Sequence, residues 1–399
     1  MTAKKQFQIA LYFFAAIAFL GLILRTVPVY PLPIEYSYYL HAHSHVAFLG
    51  WLHGAFISFI SYIFLKNKLK TRIFRLIYWF TILNVVGMYI SFPLQGYKFF
   101  SILFLSLFLI GTYLFTYYFF KNKQDCQSFP ATCKMIKAGL YLQLLSSISP
   151  WTLGAIIKFF GKDSPYYKYD IFYYLHFQYN GWFLFAATGL SLYLLERRNI
   201  TLPVNKIKWL YRLLLTAVFL GYFSNTLWNN PGLIYNLISL LGAAAEIGAF
   251  FILLLIFKRY FHYLQHTISP FSSRILTIVF FTFMLKAVLQ FMGSIQYYAD
   301  LSYQIRDFII GYLHLIMLGI FTPLLLILAY ELAFVKLSKS AFYVFYSGFL
   351  ITETLIFTRA ILTWFNYPLP ADVFNTLLFI FTLWMFMGIA WLAFDTKTK

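Results

Sequence analysis

Apolar residues run along this chain in long blocks that are separated by short polar breaks. A helix needs roughly 20 apolar residues to cross a hydrocarbon core of about 30 Å. Because lipid offers no hydrogen bonds to the backbone, such blocks are expected to be helices. The pattern predicts an all-α polytopic membrane protein, a twelve-helix bundle forming one integral membrane domain over 1–399. The predicted crossings cover 8–27, 38–65, 73–93, 98–120, 135–158, 170–195, 207–228, 232–257, 273–297, 306–333, 341–365 and 371–394.

Composition supports this class. Hydrophobic residues make up 61% of the chain, aromatic residues 23% and charged residues only 11%, which lies far outside the range of a soluble domain. The lipid bilayer is therefore the first expected partner.

Positive charge is concentrated in alternate polar breaks, such as "KNKLKTRIFR" and "ERR". Lys and Arg are retained in cytoplasmic loops, so the pattern predicts that the N and C termini are both cytoplasmic. The net charge of +19 is then mainly a topology signal. A nucleic-acid partner is not expected, because the chain has no separate basic domain to bind one.

The two cysteines, Cys126 and Cys133, stand in the loop after the fourth crossing. The charge pattern places this loop in the cytoplasm, where disulfides are rare. Two thiols alone are also too few for a structural metal site. We therefore expect free surface thiols.

Histidines mark three crossings at one depth. Half of the eight histidines lie in "YYLHAHSHVAFLGWLHGAF", namely His41, His43, His45 and His53. His176 in the sixth crossing and His314 in the tenth lie, like the first three, about 5–12 Å from the predicted outer edge. Strongly polar side chains in lipid cost several kcal/mol unless they are paired or bound. A shared level on three helices favours a bound cofactor or metal over simple interhelical hydrogen bonding.

Helical geometry assigns the clustered histidines to two faces. His41 and His45 point to one side, and His43 lies about 160–200° around the helix from both. His53, two turns deeper, is expected nearer the His45 side. One face could ligate a macrocycle while the other contacts a second helix, a metal or the outer water layer.

Three stretches resemble a known family. "HSHVAFLGW" resembles the second helix of heme-copper oxidase subunit I, where this kind of pattern supplies a low-spin heme ligand. "YLHFQYNGWFLFAATGL" is similar to the sixth helix of the C-type oxidases and their nitric oxide reductase relatives, and "GYLHLIMLG" resembles the tenth. Twelve crossings also match that family. The nitric-oxide-response NnrS family, a heme-containing group with its own "HAH" segment, is a second resemblance.

The departures from the family pattern concern its reaction centre. Tyr312 stands where the tenth helix of the family has the ligand of the oxygen-reactive heme, and Asn229 and Asn230 stand where the seventh helix has a copper-binding His pair. Amides are poor copper ligands. His176 is thus the one copper ligand left of three, and neither a complete copper site nor full oxidase activity is expected. The remaining metal candidates are His41, His176 and His53.

The resemblance implies one b-type heme held by His43 and His314, with His45 as the alternative to His43 and a six-coordinate iron suited to electron transfer. Tyr312 is either an iron ligand or, as we favour, a hydrogen-bond donor or packing residue. The implied function is electron transfer, or binding of and response to NO or O2. The implied electron donor is a quinol or a cytochrome, and the implied location is a bacterial inner membrane. Partner subunits are left open.

Four charged residues fall deep inside predicted crossings: Glu246, Lys286, Glu353 and Arg359. Each should face the protein interior, and a Glu246–Lys286 ion pair is the favoured interpretation over a proton path. The alternative function comes from the same residues. In a transporter or metal-handling permease, the outer histidines would form a shallow cation site and Glu246 and Lys286 would lie in the pathway.

Overall fold

The computed structural model describes residues 1–367 and 370–395, and every regular element in these two ranges is helical. The first five helices are α1 (Ala3–Thr26), α2 (Tyr36–Val46), α3 (His53–Phe64), α4 (Arg72–Gln95) and α5 (Phe99–Asn122). The middle of the chain forms α6 (Pro130–Ser146), α7 (Ile148–Phe160), α8 (Pro165–His176), α9 (Leu184–Glu196), α10 (Val204–Gly221), α11 (Leu233–Thr267), α12 (Pro270–Met292), α13 (Gln296–Gln304) and α14 (Arg306–Ile316). The last three are α15 (Thr322–Glu331), α16 (Lys339–Trp364) and α17 (Ala371–Phe394).

Three short π-helical segments join pairs of these helices without a break: Ala47–Leu52, Phe177–Phe183 and Met317–Phe321. A 3-10 helix, Tyr222–Asn229, continues α10 and ends before α11. The segments 36–64, 165–196 and 306–331 are therefore continuous helices with a wide turn in the middle.

The prediction of a multi-pass helical membrane protein is confirmed. Ten helices in the described ranges are long and apolar enough to cross a bilayer. The sixth and seventh predicted crossings coincide with helical segments, 165–196 and 204–229, that are not among those ten. The count of twelve thus stays a prediction, and residues 396–399, on which the cytoplasmic C terminus was partly argued, lie outside the described ranges.

The chain divides into two compact units, residues 1–125 with 328–399 (unit 1) and residues 126–327 (unit 2). In unit 1, α1 packs against α2, α3 and α17, and α16 packs along α17. Its core is aromatic: Phe14 stacks on Trp51 with ring centroids 4.7 Å apart. In unit 2, α6 packs on α9, and α11 packs on both α10 and α12.

Helix ends follow from local sequence. Ser and Thr side chains at N-caps, such as Thr71 before α4 and Ser164 before α8, accept a hydrogen bond from the first turn. The start of α6 is held differently, since the buried Glu196 carboxylate accepts hydrogen bonds from the backbone N–H groups of Ala131 and Thr132 at 2.8 and 3.0 Å. A carboxylate at this position also complements the positive end of the helix.

The prediction of free thiols is wrong. Cys126 and Cys133 form a disulfide, with Cα atoms 5.3 Å apart. The first turn of α6 carries Cys133 back beside the loop that holds Cys126. The prediction was based on the reducing environment of the cytoplasm. It did not include the distance between the two cysteines, which the fold of this loop brings within bonding range.

Candidate functional site

Each of the three crossings with outer histidines contains a π-helical segment directly after a histidine. The segments begin at Ala47, Phe177 and Met317, one to three residues after His45, His176 and His314. Each of these histidines is followed five positions later by a glycine, as printed in "HVAFLG", "HFQYNG" and "HLIMLG". Such π-segments within α-helices are uncommon and are frequent at functional sites. The repeated His-x4-Gly spacing is a sequence signal that the depth argument did not use.

His43 has the geometry of a ligand. Its Nδ1–H donates a hydrogen bond of 2.9 Å to the backbone carbonyl of Ile17 in α1. This bond fixes the tautomer, so Nε2 carries the lone pair. The ring also lies close to Gly21, where an added Cβ would come within 3.0 Å of Cε1. A histidine that binds a metal usually donates its other ring N–H to a carbonyl or carboxylate in this manner.

His41 and His45 face a different group of residues, as their four-residue spacing predicted. Nε2 of His45 lies 2.5 Å from the hydroxyl of Tyr97, and its ring stacks on Phe92. The ring of His41 meets Tyr97 edge-on, with centroids 4.5 Å apart. The hydrogen bond to Tyr97 occupies the outer nitrogen of His45, which makes His43 the better ligand of the two.

His53 lies at the first position of α3, after the π-segment, and is buried with its ring edge-on to Phe108 of α5. The expected direction of His53 assumed regular α-helix from His45 onward. A π-segment, with its hydrogen bonds to the fifth residue, changes the rotation in between. The ring contacts show an aromatic environment around His53.

His176 is buried, and hydrogen bonds engage both of its ring nitrogens. Nε2–H donates to the carbonyl of Val218 at 2.8 Å. Nδ1 faces the side-chain amides of Asn180 and Asn225, each at 3.2 Å. This arrangement satisfies a neutral imidazole completely without a metal.

A buried ion pair adjoins this histidine through Asn180. Lys286 of α12 pairs with Glu246 of α11, and both side chains are buried. The Lys286 ammonium also donates to Oδ1 of Asn180 at 2.8 Å. The predicted cross-helix pair is thereby confirmed.

Tyr312 completes the same network. Its hydroxyl donates to Oε1 of Gln290 at 2.6 Å, which confirms its role as a hydrogen-bond donor. Gln290 in turn lies 3.5 Å from the amide nitrogen of Asn180. His314, two residues beyond Tyr312, is in the last turn of α14 and is half-buried.

Two amides of this network were not identified from the sequence. Asn180 and Asn225 received no role, although both contact His176. Within residues 1–367 and 370–395, no group of three or more His, Cys, Asp or Glu side chains converges as metal ligands would. The rings of His41 and His53 contact aromatic side chains, and His176 forms hydrogen bonds with two amides and a carbonyl.

No family model matches the chain, and no curated protein matches it.

Proposed function

We propose that this chain is a heme-binding membrane protein that resembles heme-copper oxidase subunit I but lacks a complete copper site. It would hold one b-type heme through Nε2 of His43. Its function would be electron transfer, or binding of and response to NO or O2. Twelve crossings, cytoplasmic termini, a bacterial inner membrane and a quinol or cytochrome donor belong to the same proposal.

The hydrogen bond from His43 to Ile17 is the observation that carries the proposal. It leaves Nε2 with an available lone pair and holds the imidazole in one orientation. Gly21 provides the space that this orientation needs. A bound heme would supply a one-electron couple and could bind a diatomic gas.

The surroundings of His176 in unit 2 are the reason why the proposal includes no copper site. Imidazole is the usual protein ligand for copper, and His176 is surrounded by amides and a carbonyl. Copper binding would require both nearby Asn side chains to be displaced from Nδ1 or the Val218 bond to be broken.

The test is an absorption spectrum with heme and metal analysis on the detergent-purified protein. We expect a red protein with a b-type reduced spectrum. His43→Ala should lower the heme content more than about tenfold. His45→Ala is the matched control, two residues from His43 on the same helix, and should keep its heme. A colourless wild-type protein, or full heme in His43→Ala, would contradict the proposal.

A transporter or metal-handling permease is the second candidate, and the buried Glu246–Lys286 pair favours it. However, the Lys286 ammonium also donates to an amide oxygen, Oδ1 of Asn180, and amides do not readily pass protons along. A colourless protein whose cation uptake falls in Lys286→Met and in His41→Ala would support the permease instead.

A further inference from the structure

Four basic side chains lie together on two neighbouring helices of unit 2. Lys134 and Lys137 are one turn apart on α6. Lys208 and Arg212 are one turn apart on α10. The Lys134 ammonium lies over the ring of Tyr211, 4.1 Å from its centroid, so the two helices are side by side at this level. Because Tyr211 is next to Arg212 in the sequence, the four cations form one group, the α6–α10 basic cluster.

The acidic side chains of unit 2 do not neutralise this cluster. Among the described residues, no carboxylate forms an ion pair with any of its four cations. The Glu196 carboxylate, beside the start of α6, is occupied by hydrogen bonds from Ala131 and Thr132. Glu246 pairs with Lys286. The remaining acids of unit 2 lie in the segments that follow α7 and α12: Asp163, Asp170, Asp300 and Asp307.

Arg212 indicates where the missing negative charge is located. It lies inside the seventh predicted crossing, about 7–8 Å of helix from the edge at residue 207, and its side chain is exposed. Its guanidinium lies over the exposed ring of Trp209, 5.6 Å from the centroid. Exposed charges at this depth extend toward the membrane interface, which Trp side chains also favour. The anionic groups of that layer are lipid phosphates.

We infer that the α6–α10 basic cluster binds the headgroup of an anionic phospholipid, in the leaflet that the charge pattern predicts to be cytoplasmic. Ammonium and guanidinium groups donate charge-assisted hydrogen bonds to phosphate oxygens. Basic surfaces between membrane helices recognise anionic headgroups in this way.

The exposed apolar surface of α10 favours a lipid over a free phosphate ion. Phe219 is exposed and lies seven residues beyond Arg212, on the same face of the helix. A phosphate held at Arg212 therefore places the acyl chains of its lipid along Phe219. This inference does not depend on the proposed heme.

The experiment is native mass spectrometry of the full-length protein in detergent, titrated with phosphatidylglycerol and, in parallel, with zwitterionic phosphatidylcholine. We expect the wild type to bind phosphatidylglycerol more tightly. Lys134→Gln combined with Arg212→Gln should weaken this binding about 25-fold, since each basic residue near the headgroup contributes about fivefold. Lys134→Arg combined with Arg212→Lys keeps both charges and should restore most of the affinity. If the double Gln variant does not fold, Arg212→Gln alone should weaken binding about fivefold, because its side chain is exposed.

The matched control is Lys258→Gln combined with Arg259→Gln at the end of α11, which removes the same charge from exposed positions of the same unit. The Arg259 guanidinium lies over the ring of its neighbour Tyr260, outside the cluster. This variant should keep the wild-type affinity. Equal weakening in both double variants would mean general charge attraction and would overturn the inference. Equal binding of the two lipids, or displacement of phosphatidylglycerol by inorganic phosphate at the same concentration, would also overturn it.

Discussion

His43 in unit 1 and His176 in unit 2 are both imidazoles close to a π-segment in an apolar helix, but their hydrogen bonding differs. His43 uses one nitrogen for the Ile17 carbonyl and leaves the other with an available lone pair. His176 uses both, with a carbonyl on one side and two amides on the other. The comparison teaches that depth in the membrane identifies where histidines need partners, while the neighbouring groups decide whether a ligand can be one of them.

The buried acids of the two units differ in the same way. In unit 2 the buried Glu246 has Lys286, and in unit 1 the buried Glu353 has no hydrogen bond. In unit 2 the buried acid and His176 are thus satisfied by neighbouring protein groups, whereas unit 1 retains groups that can interact with a bound cofactor. The following changes test this contrast, beginning with the largest expected effect on stability.

Replacing Lys286 by Met should destabilise the protein by about 3–5 kcal/mol, because it leaves the Glu246 carboxylate buried without its partner. The measurement is denaturation in mixed micelles. The double variant Glu246→Gln with Lys286→Met removes both charges and should recover most of the loss. If the single variant were as stable as the wild type, the Glu246 carboxylate would not depend on Lys286 as its partner.

Replacing His176 by Ala should cost about 1–3 kcal/mol for each buried group left unpaired, since the Val218 carbonyl and two amides lose a partner. Heme content, measured by the pyridine hemochrome assay, should not change.

His43→Ala should remove the heme. It should lower the stability of the heme-free protein by only about 1 kcal/mol, because it breaks one hydrogen bond. Equal heme loss in both variants would abolish the contrast between the two histidines.

Replacing Gly21 by Ala should disturb the imidazole of His43, because the new Cβ would lie 3.0 Å from Cε1. Overpacking of this kind costs about 1–3 kcal/mol. We expect weaker heme binding and a shifted reduced spectrum. Gly154→Ala is the control, since a Cβ there meets nothing within 4 Å.

The smallest effect is expected for Tyr97→Phe. Removing the hydroxyl breaks the hydrogen bond to His45 and should cost about 0.5–1.5 kcal/mol. Thermal unfolding measures this loss, and the heme spectrum should remain that of the wild type. A large spectral change would mean that His45, rather than His43, is the heme ligand.

Several features of the site could be read from residue types and spacing. The opposite faces of His43 and His45 follow from regular helix geometry, and the Glu246–Lys286 pair follows from the cost of burying charge. These inferences need only one helix or one energetic rule. The surroundings of His53 could not be derived in this way, because the π-segment before it interrupts the regular rotation.

The amino-acid sequence alone determined that this chain is a multi-pass helical membrane protein, since apolar length and backbone hydrogen bonding leave few other solutions. It also predicts histidines at one depth in three crossings. Only the tertiary structure decided which imidazole nitrogen is paired, which acid lacks a partner, and that Cys126 bonds Cys133. These outcomes depend on distances of a few ångströms between groups on different helices and loops, which neither composition nor periodicity along the chain contains.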